Sequence, residues 1–154
     1  MASVGESDPF GRWVEHFTRN RETHARLEAS IDGDTPCTLD EPTRSALGRS
    51  LQRFALGEGG DGVHLLRKAA EAGTPDQRRA LQLLVAEEQA HSALFTRGLE
   101  HLGLPALRSH WSDRVFTGLR RFLGLRTELL LFLTAEAVAM PYFVALSRFA
   151  DDEV

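Results

Sequence analysis

Apolar residues recur at steps of three and four over long segments of this chain, and strand-type alternation is nearly absent, so the sequence reads as all-α. The first segment runs from about Asp8 to Leu27, with Asp8 as N-cap, Pro9 at the first helical position, and Phe10, Trp13 and Phe17 on one stripe. Residues 29–42, ASIDGDTPCTLDEP, are rich in turn formers and read as a loop. A long helix follows from about Pro42 to Ala70, closed by Ala72-Gly73-Thr74-Pro75, and a second runs from Asp76 to Leu102-Gly103. The turn between them is tight, which makes them antiparallel neighbours. From Gly103 to Ser112, GLPALRSHWS is too long for a tight hairpin and reads as a crossover pinned by His110 and Trp111. The last helical segment spans Asp113 to Phe149, with an interruption at Gly124. At 154 residues the chain holds one domain: an N-terminal helix and loop over 1–40, and a helical bundle over 41–154.

Charge and cysteine content narrow the function. With 18 basic against 22 acidic side chains the net charge is −4, which argues against a nucleic-acid binder and against a polybasic membrane patch. Cys37 is the single cysteine, so neither an intrachain disulfide nor a Cys-rich metal site can form, and a reduced, cytoplasmic thiol is expected. The opening residues MASVGESDPFGRW have neither the basic nor the apolar region of a secretory signal. Leu129 to Leu146 is an eighteen-residue run whose only charge is Glu136. With that acid at its middle and Pro141 after it, the run reads as a buried bundle helix and no membrane association is expected.

Carboxylates occupy the faces these helices should bury. In the first long helix the stripe is Leu47, Leu51, Phe54, Glu58, Leu65 and Ala69; in the second it is Leu81, Leu84, Glu88, His91, Phe95 and Leu102. In the last, Leu129, Phe132, Leu133, Glu136, Met140 and Phe143 share a side. A buried ionised carboxylate costs several kcal/mol unless compensated, and converging acids also repel one another. No Lys or Arg lies on these stripes, which leaves shared protons or a bound cation. The imidazole beside Glu88 favours iron, manganese or zinc over Mg²⁺ or Ca²⁺. Glu58 lies 14 residues before Ala72 and Glu88 lies 13 after Pro75, so both stand level at ~20 Å from the shared turn. Glu136 is 14 residues from Ala150, the same geometry at the far end of the last helix.

FALGEGGDG around Glu58, AEEQAH around Glu88 and His91, and TAEAVAMPYF around Glu136 resemble the ferritin-like di-iron carboxylate superfamily, and within it the bacterial ferritin-like domain-containing proteins. The resemblance covers roughly Leu47 to Val154. It implies a four-helix bundle with a Glu on one helix and Glu-x-x-His on the next, repeated on the last two helices. By that analogy Glu58 is a terminal ligand, Glu88 a bridging carboxylate, His91 a nitrogen ligand and Glu136 the terminal ligand of a second metal. Iron, or iron with manganese, is the implied cofactor. The second Glu-x-x-His has no counterpart here, so the expected bundle is truncated to three core helices plus the short N-terminal one, with four ligands in place of six. A truncated gene, a helix supplied by another chain, and a degenerate site all remain open.

Two functions follow as expectations. The first is an oxidoreductase in which these residues hold iron that activates dioxygen, with a small-molecule substrate entering beside Phe54, Phe95, Met140 and Phe143. The second is a non-catalytic helical module that dimerises or binds a partner helix through an open apolar groove. Other polar residues receive structural roles. The run Gly57 to Gly62 lacks the strand and Lys-Ser or Lys-Thr of a phosphate loop and reads as allowing either close helix approach or a local distortion beside Glu58. His16, His24, His64, His101 and His110 fit no ligand spacing, Glu87 and Glu100 should be solvated, and Tyr142 reads as a packed aromatic.

Overall fold

The computed structural model describes residues 9–31, 33, 35–110, 115, 118 and 123–150. Five helices carry the described chain: α1 (Pro9–Ser30), α2 (Glu41–Glu58), α3 (Val63–Ala72), α4 (Pro75–His101) and α5 (Leu125–Ala150). Local sequence sets several of their ends. Asp40 caps α2, its carboxylate accepting from the Thr43 N–H at 2.9 Å, and this contact holds the Asp40 pKa below the ordinary carboxylate value. Thr74 caps α4 in the same way through the Gln77 N–H at 3.2 Å, with Pro75 opening the helix. The expected N-cap Asp8 and the crossover residue Trp111 lie outside the described residues.

The helix expected from Pro42 to Ala70 is broken. It stops at Glu58 and resumes at Val63, and Gly62 between them has φ +63°, the left-handed region that glycine enters without a Cβ penalty. A Cβ at Gly62 would come within 2.5 Å of Val85, so that position also lets the chain close against α4. The antiparallel register survives the break. Gly62 faces Val85 and Ala55 faces Ser92, so seven positions along one strand of the pair match seven along the other. Both halves therefore stay packed on α4.

Burial follows the inward stripes of α2, α3 and α4. Leu51, Ala55, Leu99 and Leu102 form one buried cluster, flanked by Leu47, Phe95 and Leu104. Leu65, Ala69, Leu81 and Val85 form the other, flanked by Leu84, Leu125, Leu129 and Phe132. Between the two clusters lies the level of Glu58 and His91.

The N-terminal helix packs along α4 as a full neighbour. Asn20 donates to Glu87, His24 lies against His91, and Arg97 donates to Glu28, so α1 and α4 climb together and run parallel. Phe10, Val14, Phe17, Asn20 and His24 line the half-buried side of α1, whereas Trp13, expected on that stripe, is 46% exposed and stacks on Phe17.

The last helix departs most from expectation. Its early residues Leu125, Leu129 and Phe132 pack on the α3–α4 cluster, and its later Phe143 meets Phe54 at 4.8 Å and Phe95 at 5.7 Å. α4 and α5 therefore run the same way, the relation expected of a crossover rather than a hairpin. Among the described residues only this one face is covered, so the helix is not the buried bundle helix that its sequence suggested. Leu133 and Met140, expected inward, are 58% and 56% exposed. By length and composition α5 is long and apolar enough to cross a membrane, and its apolar stretch is not buried.

Candidate functional site

Four helices bring polar side chains to the level between the two apolar clusters. Glu58 ends α2, and its Oε2 lies 3.1 Å from His91 Nδ1 on α4. Glu136 on α5, expected inward, is exposed, although it stands near enough for Glu58, Glu87 and His91 to act on its charge. Of the four residues singled out from sequence, Glu58 and His91 are in direct contact. Glu88, also singled out, is half-buried on α4.

Two further residues join them. Ligand-type atoms of His24, Glu87 and His91 lie within 4.8 Å of one another, and all three residues are half-buried. The His24 and His91 rings are 5.2 Å apart. Glu87 is not the solvated group expected, because α4 has a second apolar face, and His24, which fitted no ligand spacing, stands beside it. Ala80 and Leu83 on that face are buried, Glu87 follows them at helical spacing, and α1 covers all three. The signal for His24 was present as well: Phe10, Phe17 and His24 are spaced by sevens, so extending the α1 stripe by two turns reaches the histidine.

Electrostatics reflect the crowding. Hydrogen bonding to Glu58 raises the His91 pKa above its ordinary 6.5; burial opposes this, and the charges of Glu58, Glu87 and Glu136 add to it. Glu136 titrates above the ordinary 4.5, chiefly because partial desolvation disfavours its charge and also because Glu58 and Glu87 repel it, while His91 pulls the other way. The chain's single lysine gives the site no relief. Lys68 Nζ donates to Glu128 at 2.8 Å and to the Leu123 carbonyl at 2.6 Å, and Glu128, 1% exposed, is the deeply buried acid that the sequence reading missed. Its signal was the three-and-four spacing of Leu125, Glu128 and Phe132.

The donor set fits a transition metal. Two imidazoles with neighbouring carboxylates suit iron(II), manganese or zinc, and the coupled acids gain from any cation placed among them. Above the site Phe54, Phe95, Tyr142 and Phe143 form a continuous aromatic wall, Tyr142 lying 5.3 Å from Phe54. Compared with protein-family models, curated proteins and solved structures, the chain matches none, so any kinship with the ferritin-like superfamily rests on its own residues.

Proposed function

We propose that this chain is a ferritin-like metal protein that binds iron, or iron with manganese, at the level of Glu58, Glu88, His91 and Glu136, and that it acts as a dioxygen-dependent oxidoreductase. The observation that carries the reading is the 3.1 Å contact between Glu58 and His91, with Glu136 near enough for its charge to act on His91. The parallel course of α4 and α5 supports it, since ferritin-like bundles contain one long crossover.

The bound metal would supply electrons to dioxygen. The chain's own residues do the rest. Glu58 fixes the His91 ring through Nδ1, which leaves Nε2 as the ligating nitrogen. Glu136, whose charge is disfavoured in the metal-free fold, would be stabilised in its ionised form by a cation nearby. Phe54, Phe95 and Phe143 exclude water on one side and offer an apolar surface to a small substrate. The proposal places the protein in the cytoplasm, where Cys37 stays reduced. Anaerobic titration of purified protein with Fe(II) tests it: stoichiometric retention is expected, with loss in Glu88→Ala and His91→Ala. No retention by the wild type, or retention unchanged in both variants, overturns it.

A second reading, self-association through α5, is favoured by one observation. Leu130, Leu133, Ala137, Met140 and Val144 recur at steps of three and four on an exposed face, about 90° round from the inward stripe. That seam carries no charge, so two identical copies can meet along it without repulsion. Sedimentation at micromolar concentration should show a dimer that Leu133→Lys dissociates. A monomer, or partition of α5 into phosphatidylcholine vesicles, overturns this reading.

A further inference from the structure

The structure brings to His91 one Glu and one His beyond the residues singled out from sequence. We propose that His24 of α1 and Glu87 of α4 are metal ligands acting with His91. The inference rests on the metal-binding reading above and extends it to the N-terminal helix, which that reading leaves without a role.

Three features of the geometry support it. First, ligand-type atoms of His24, Glu87 and His91 already lie within 4.8 Å of one another, close enough for one ion to reach all three with small side-chain rotations. Second, the combination of two imidazoles and one carboxylate is itself a donor set suited to iron(II) with open positions. Third, two of the three carry the outer partners that ligands need to hold their orientation. Glu58 engages His91 Nδ1 at 3.1 Å, and Asn20 Nδ2 donates to Glu87 Oε1 at 3.2 Å.

The placement also gives α1 a function. Its parallel packing on α4 sets His24 level with His91, and Asn20, one turn earlier, level with Glu87. Metal binding is therefore coupled to docking of the N-terminal helix. A cation at this point ties α1 to α4, and loss of α1 removes a ligand.

Cobalt(II) is the probe, added to metal-free full-length protein and followed by visible absorption and calorimetry. Wild-type protein should bind Co(II), and His24→Ala and Glu87→Gln should each weaken binding by ~10-fold or more and alter the ligand-field spectrum. Glu28→Gln, which removes the α1–α4 ion pair with Arg97 but neither a ligand nor a ligand's partner, should weaken binding far less than His24→Ala. His24→Cys should retain Co(II) and add a thiolate-to-metal charge-transfer band absent from the wild type. If wild-type protein binds while His24→Ala and Glu87→Gln bind equally well with unchanged spectra, this inference is overturned and the metal-binding reading stands. Losses as large in Glu28→Gln as in His24→Ala, or no new band in a folded His24→Cys, overturn it too. If the wild type binds neither Fe(II) nor Co(II), the metal-binding reading itself fails.

Discussion

Glu58 and His91 meet at 3.1 Å although they stand 33 residues apart, and the helix that carries Glu58 ends at that residue. The contact has a defined pH dependence. His91 binds its proton more tightly in the folded protein than in the unfolded chain, so its stabilising effect is fully present below the unfolded value near 6.5 and is lost as pH rises through the higher folded value. Both side chains are partly exposed, which limits the effect to about 0.5–1 kcal/mol. In metal-free protein, Glu58→Gln should therefore lower stability to urea at about pH 6 and change it little at about pH 9. Equal losses at both would mean that the contact is not ionic.

Glu136 follows the same pH direction, but here the charged form opposes the fold. Its folded pKa is raised, so its ionised form weakens the metal-free fold, and that weakening is relieved as pH falls through the raised value. Glu136→Gln should raise the metal-free Tm at neutral pH and reduce the Tm gain on adding Mn(II). Opposite signs in the two states identify a residue kept for a cation. A lower Tm in the metal-free variant would contradict this.

The inward faces of α2, α3 and α4 were legible because three-and-four spacing dictates which side of a helix meets its neighbour: Leu51, Leu65, Leu81 and Leu102 are all buried as that spacing requires. Glu58 and His91 were legible for the same reason, as carboxylate and imidazole on apolar stripes. The break at Gly59–Gly62 was only half legible. Four glycines announced a distortion, but whether the helix bends or stops depends on the tertiary fit of Gly62 against Val85. His24 and Glu87 were missed because each was judged on its own helix, whereas their meeting depends on α1 lying parallel to α4. For α5, a run apolar on all sides says that every face seeks cover without saying which face finds it within the chain.

The Lys68–Glu128 pair supplies a prediction independent of any metal. Glu128 is 1% exposed and Lys68 bridges it to the Leu123 carbonyl, fixing the start of α5 to α3. Removing one partner weakens the compensation of a buried charge, so Lys68→Met should cost about 1–3 kcal/mol. The double variant Lys68→Met/Glu128→Leu should recover most of the loss, since apolar replacement of both partners is often neutral. Urea unfolding of the two variants measures this. A double variant no better than the single one would show that the Leu123 contact, rather than the charge pair, anchors the helix.

Gly62 tests whether the break between α2 and α3 is built in or merely tolerated. Alanine there must adopt a left-handed conformation, costing about 1–2 kcal/mol, and its Cβ meets Val85, where overpacking adds roughly 1–3 kcal/mol. The two costs separate. Shortening the obstruction with Val85→Ala removes the overlap but leaves the backbone term, so Gly62→Ala should be less destabilising in a Val85→Ala background than in the wild type. If the chain instead escaped by joining α2 and α3 into one continuous helix, far-ultraviolet circular dichroism would show added helix in Gly62→Ala, and Glu58 would turn away from His91. The raised His91 pKa, read by NMR titration, would then fall back towards 6.5. The register match across the break argues for the first outcome: a loss of stability with helix content and the His91 titration unchanged.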